Sequence, residues 1–257
     1  MNFKFGRRPR RRDPKVPHYS AITAGTTLAA PPASVDWTAG MGSDLGFMLN
    51  NSLGDCTCAA YGHALQVWSY NAAHRMVTVP DSDIELLYER SCGYVPGKPS
   101  TDQGGVEQDV LGYLLNTGTP IGPNGTDIHN LTAFVEVDPR NVDDVKRTIA
   151  DCAVCYIGFN VPAFLPENPG STWNLEPGSD QTIKGGHAVV LAGYDSGGAR
   201  VISWGSYYRM TWGFFGRFVD ECYAIADPDW VAVTGKTPGG VTLEVLEQQM
   251  AALKEGA

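Results

Sequence analysis

The chain has 257 residues, 43% of them apolar, enough for a globular fold with a sizeable core. Thirty glycines and 17 prolines argue against a helical bundle and for many turns. No apolar run approaches the roughly 18 residues of a membrane span, so a soluble chain is expected. The net charge of −9 is unevenly placed: residues 1–15 hold seven basic side chains against Asp13 alone, a net +6, and the remainder carries −15.

Residues 1–34 read as a basic arm (Lys4, Arg7, Arg8, Arg10, Arg11, Arg12, Lys15) followed by a Pro/Ala/Thr-rich lead-in. A basic arm on an acidic body suits an anionic partner, either an acidic protein face or nucleic acid. The plainer alternative is a solvated tail. Arg7-Arg8 ahead of `AITAGTTLAA` faintly resembles a twin-arginine leader. Pro14, Pro17 and His18 intervene, however, and Ile22 and Leu28 are the only large apolar residues of that stretch. No convincing export signal results, and a cytoplasmic setting with reduced thiols is expected.

Residues 35–48 suggest a short strand-and-turn entry. From Cys56 to about Ala73 there is no proline, and Ala60, Ala64, Val67 and Trp68 recur at helical spacing. Residues 82–91 and 106–116 read as two more helices, and `NVDDVKRTIAD` as a fourth that runs into the buried strand `AVCYIGF`. Beyond Gly185, `GHAVVLAGYD` and `ARVISWGS` predict a β-hairpin, and `GFFGRFVDECYAIA` further strand or mixed structure. Residues 236–257 end in an amphipathic helix with Thr242 as N-cap, Gly256 as terminator, and a stripe of Leu243, Leu246, Met250 and Leu253. Helices early and strands late predict an α+β protein of two lobes.

The stretch `NNSLGDCTCAAYGHAL` places Cys56 at a helix start, where unpaired N–H groups lower a thiol pKa. Cys58 lies about 200° further round and faces core. As a lone observation, either cysteine fits ordinary core. His63 is on the face of Cys56 but roughly 10 Å along the helix, beyond hydrogen-bond reach. His18 lies in the arm, and His74 and His129 carry no further signal. His187 stands in an apolar strand behind two glycines that leave room beside its ring. The pair Cys152 and Cys155 has CxxC spacing but leads into a strand, which argues against a redox or zinc site. No phosphate-binding or dinucleotide fingerprint occurs, so neither cofactor nor metal is expected.

Five segments in order resemble the papain-like cysteine peptidase superfamily over most of residues 35–230. `LGDCTCAA` resembles the nucleophile helix start, which assigns the nucleophile to Cys56. `QGGVEQDVLGYLLNTG` resembles the Gly-Gly strip, which puts Gly104 and Gly105 along a groove for an extended peptide. `VDDVKRTIADCAVCYIGFNVPAF` resembles the helix and strand leading to the histidine, `GGHAVVLAGYD` resembles the histidine strand of His187, and `SWGSYYRMTWGFFGRF` resembles the segment that covers the pair with Trp204. The resemblance implies a helical N-terminal lobe, a β-rich C-terminal lobe and a cleft site between them. With the arm and lead-in at 1–34 and the amphipathic helix within 236–257, the resemblance leaves 35–235 as the papain-like domain. A Cys56 thiolate would attack an acyl carbon and a His187 imidazolium would protonate the leaving amine.

Two departures follow from that alignment. Asn50 stands where the superfamily has an oxyanion-stabilising glutamine. Ile202 stands where it has the asparagine that orients the histidine, and Ser203 beside it is expected to face away. Two classes of function are therefore carried forward. One is a cysteine hydrolase, peptidase or amidase, acting on a peptide or protein substrate, with activity reduced by Ile202. The other is a weak or inactive papain-fold assembly subunit, similar to papain-like proteins encoded by bacteriophages and prophages. In that setting the chain would be virion-associated and its arm would bind neighbours.

Overall fold

Helix α1 (Cys56–Ala73) is the pivot of the computed structural model, which describes residues 4–121, 127–167 and 170–254. The Asp55 carbonyl accepts the Cys58 and Ala59 N–H groups at 2.7 and 3.0 Å and so opens the helix. His74, at φ +52°, closes it. Every residue from Cys56 to Trp68 is buried, not only one face. The reason is packing on both sides: the sheet lies against one flank, and helices α2 (Asp81–Cys92) and α3 (Glu107–Asn116) lie against the other. Gly93, at φ +78°, terminates α2 in the left-handed conformation that glycine adopts without strain.

The sheet comprises β1 (Ala133–Glu136), β2 (Cys155–Pro162), β3 (Ile183–Asp195), β4 (Gly198–Ser203), β5 (Ser206–Thr211) and β6 (Val219–Ala226), plus two short strands. Its order is β1-β6-β2-β3-β4-β5, with Thr172–Trp173 beside β5 and Val35–Asp36 paired to β3. Helix α4 (Val142–Cys152) precedes β2, and Asn141 caps it by accepting the Asp144 N–H at 3.3 Å. The mixed segment after β5 resolves into helix α5 (Trp212–Phe218), capped by Thr211, and then β6. A helical lobe thus meets a β-rich lobe, in agreement with the α+β expectation. Central β3 is buried from His187 to Tyr194, which fixes its register against β2 with Phe159 opposite His187.

Helix α6 (Leu243–Lys254) begins at Thr242, whose Oγ1 accepts the Val245 N–H at 3.3 Å. Leu246 and Met250 are buried and Leu253 partly so, but Leu243 is 39% exposed, so the contact stripe is shorter than the spacing suggests. Gly256 lies outside the described residues. All six cysteines are free thiols, and Cys58, Cys152, Cys155 and Cys222 are buried. None of the described helices is long and apolar enough to cross a membrane.

Candidate active site

Cys56 is the first residue of α1, so its N–H is among the first-turn donors that have no partner within the helix. Its sulfur accepts the Ala188 N–H at 3.4 Å, which brings the helix start against β3 one residue from His187. The His187 ring is fully buried, stacked on Trp204 (centroids 4.3 Å apart, planes at 15°) and met edge-on by Phe159 at 5.7 Å. Trp204 takes φ +47° and Gly205 φ +68° in the tight turn between β4 and β5, and this turn swings the indole over the imidazole.

Two expectations require correction. Ser203 does not face away: its Oγ lies 2.8 Å from His187 Nε2. Ile202, paired with Val190, points to the other face of β4 and is buried in the core. Ile202 and Ser203 do alternate across β4, but the histidine lies on the face of Ser203, one residue from the aligned position. Asn50 likewise does not present a free amide. Its Nδ2 donates to Asp55 Oδ1 at 3.1 Å and to the Leu53 carbonyl at 3.2 Å. The buried Asp55 carboxyl, next to Cys56, thus captures the amide that the resemblance would turn toward an oxyanion.

The cleft is filled by the chain's own arm. The Gly105 N–H donates to the Gly6 carbonyl at 2.8 Å, the Arg8 N–H to the Gly105 carbonyl at 2.8 Å, and the Arg7 N–H to the Gly186 carbonyl at 3.0 Å. Arg7 and Gly105 form a parallel bridge. Phe5 sets its ring edge-on to both His187 and Trp204, at 6.1 Å from each. Gly6 is required where it lies, because a Cβ there would overlap the Gly54 carbonyl oxygen. The Gly104–Gly105 strip is needed for the same reason, since a Cβ on Gly104 would overlap the Gly6 carbonyl. Arg10 and Arg11 continue along the body through ion pairs with Glu136 and Asp109.

Sequence reasoning missed the clamp that holds this track. Asp102 Oδ1 accepts the Gly54 N–H at 2.9 Å and the Tyr88 hydroxyl at 2.8 Å, and that hydroxyl accepts the Gly104 N–H at 2.8 Å. One carboxylate and one phenol therefore tie the approach to Cys56 to the glycine strip. The tyrosine sits in an unremarkable helix segment, so no local signal marks it.

With the arm seated, both site groups are held neutral. Burial pushes the Cys56 thiol up to about 12, against the opposing pull of the Ala188 and Gly6 N–H groups on the sulfur. Burial also lowers His187 to about 3, and the nearby Arg7 guanidinium and His63 add to the shift. The thiolate–imidazolium pair implied by the resemblance is therefore not the state of the closed cleft. Nor is a scissile group offered to the sulfur. The Gly6 N–H faces it, and the Gly6 carbonyl is turned to Gly105.

His63 and His129 have structural explanations. His63 is buried against Gln66, with Nδ1 2.9 Å from Oε1. His129 pairs with Asp227 at 3.0 Å and meets the Tyr61 hydroxyl at 2.7 Å. Among the described residues, His129, Asp227 and Asp229 are the one group close enough to share a metal ion. Asp227 already caps a helix by accepting the Trp230 N–H at 2.8 Å, so these contacts need no ion to explain them.

At the level of sequence, no family model matches the chain and no curated protein matches it. The fold does match solved structures. Xylellain, a cysteine protease from Xylella fastidiosa, superposes with a TM-score of 0.66 at 18% identity, over 88% of this chain and 97% of that one. The Carica candamarcensis cysteine protease CMS1MS2 gives 0.56 at 16% identity, over 76% of this chain and 99% of that one. Digestive procathepsin L 3 of Tenebrio molitor gives 0.55 at 15% identity, over 88% and 76%. The chain has the papain-like fold.

Proposed function

We propose that this chain is a papain-like cysteine hydrolase, a peptidase or amidase, kept latent by its own N-terminal arm. The observation that carries the reading is the meeting of Cys56 and the histidine strand: a helix-start thiol 3.4 Å from the Ala188 N–H, beside an imidazole fixed by Ser203 and Trp204. In the roles assigned here, His187 Nε2–H donates to Ser203 Oγ, which leaves Nδ1 to take the thiol proton. Nδ1 is buried and has no hydrogen-bond partner among the described residues, Cys56 Sγ included, so the transfer belongs to the cleft after the arm has left. The thiolate attacks the acyl carbon, and the imidazolium returns its proton to the leaving nitrogen. The Cys56 N–H at the helix start donates to the developing oxyanion, and an Asn50 released from Asp55 would add a second donor. Gly105 binds the extended substrate backbone as it binds Gly6 and Arg8, Gly186 as it binds Arg7, and Gly104 leaves the room this close approach needs.

The test uses Gly6→Ala in the full chain, because the added Cβ cannot coexist with the Gly54 carbonyl and lifts the arm off the cleft. This variant should react at Cys56 with an electrophilic peptide probe and turn over peptide amides. Gly6→Ala/Cys56→Ala should do neither.

The sealed, neutral pair favours a second reading, in which the cleft serves as a docking socket of an assembly subunit. Its arm would then exchange onto an acidic protein or nucleic-acid neighbour. A Gly6→Ala chain that is folded, open to small alkylating reagents at Cys56 and inert toward every peptide amide would favour it.

A further inference from the structure

Arg7 is buried to 5% exposure, whereas Arg8, Arg10, Arg11 and Arg12 after it are exposed. Its Nη1 donates to Glu221 Oε2 at 3.0 Å, and Nη2 lies 2.8 Å from Asp220 Oδ1 and 3.4 Å from Asn160 Oδ1. Glu107 stands beside the same side chain, 1% exposed, and neither of its carboxylate oxygens has a hydrogen-bond partner among the described residues. Gly158 forms the pocket wall, where a Cβ would collide with both the Arg7 stem and Glu107.

This arrangement goes beyond what is needed to anchor a tail. Glu107 and Glu221 are each 1% exposed; burial raises the proton affinity of Glu107 and nearby Glu221 raises it further, so an empty pocket would leave two buried carboxyl groups in conflict with no cation between them. A planar cation with several donors resolves that conflict better than a point charge or a neutral group. The pocket also opens on the strip that pairs with the backbone, since Arg7 is bridged to Gly105 and bonded to Gly186. A ligand whose backbone occupies that strip would deliver its side chain to the same place.

We infer that Glu107, Glu221, Asp220 and Asn160 form a guanidinium subsite of the cleft, which Arg7 fills in the latent chain and an arginine side chain of the substrate fills once the arm has left. The inference rests on the hydrolase reading for its substrate, but the subsite itself is a binding property and can be measured without turnover. The class of substrate it selects is a peptide or peptide amide that carries arginine next to the residue lying over the thiol.

The test uses the full-length Gly6→Ala/Arg7→Ala chain, in which the arm is displaced and the pocket vacated. Phe-Gly-Arg amide should protect Cys56 from alkylation at a concentration at least about tenfold lower than Phe-Gly-Leu amide. n-Propylguanidinium should raise the melting temperature where its neutral isostere n-propylurea does not. Glu221→Gln in the same background should abolish both preferences. Equal protection by the two peptides, or guanidinium and urea acting alike, overturns the subsite. Should the double variant not fold, Gly6→Ala alone, whose added Cβ lifts the arm and Arg7 with it, carries the same peptide comparison, with the same expected and overturning results. Selective guanidinium binding without turnover of any amide would sink the hydrolase reading and leave the subsite standing. Turnover without arginine preference would do the reverse.

Discussion

Ser203 Oγ lies 2.8 Å from His187 Nε2, and the indole of Trp204 covers the same imidazole at 4.3 Å. A hydroxyl thus does the orienting that Ile202 cannot, from a neighbouring position on β4. The bond is buried, and in the imidazolium state it becomes charge-assisted, worth about 1.5–3 kcal/mol. Ser203→Ala in the Gly6→Ala background should therefore lower kcat/KM about ten- to a hundredfold, with KM little changed. A Ser203→Ala chain of unchanged activity would remove Ser203 from the mechanism.

The buried thiol gives a pH profile. With Cys56 held up to about 12, its alkylation by iodoacetamide should climb about tenfold per pH unit from neutrality toward that value. Displacing the arm relieves the burial that causes the shift, so Gly6→Ala should move the profile to lower pH. Coincident profiles for the two chains would show that the arm does not control the thiol.

His187 supplies a stability test of definite sign. Its lowered pKa, about 3 against an ordinary 6.5, means that the unfolded chain binds a proton in that interval and the folded chain does not. The contribution is fully present above about pH 6.5 and is lost as pH falls toward 3, with a slope approaching about 1.4 kcal/mol per pH unit. His187→Gln should flatten that part of the melting-temperature profile relative to the parent chain. Parallel profiles between pH 3 and 6.5 would contradict the burial argument.

The unequal legibility of the site has a physical basis. Cys56, His187 and the Gly104–Gly105 strip lie in short segments whose local chemistry is constrained, so their placement follows from spacing and resemblance. The Ser203 contact depends on which face of β4 meets His187, and that is set by the register of β3 and the turn at Trp204 and Gly205. Asn50 was lost to Asp55, a capture that depends on the loop path between them. Arg7 is one of six basic residues in the first twelve, and charge alone does not distinguish it. Gly6, between Phe5 and Arg7, was the available signal, since a glycine in a charged arm marks close approach to another backbone.

Tyr88 offers the last test, because it acts on the track without touching the reacting atoms. Its hydroxyl donates to Asp102 and accepts the Gly104 N–H, so Tyr88→Phe leaves that N–H without its partner and frees Asp102 to hold Gly54 alone. A buried donor left unsatisfied costs about 1–3 kcal/mol, and here the cost falls on the strip that binds backbone. In the Gly6→Ala background, Tyr88→Phe should raise KM for peptide amides several-fold and change kcat less, since Cys56 and His187 keep their contacts. In the wild-type arm it should speed Cys56 alkylation, because the same strip also holds Gly6 and Arg8. A purely structural tyrosine would lower the melting temperature without moving KM or the alkylation rate, and that result would dissolve the clamp.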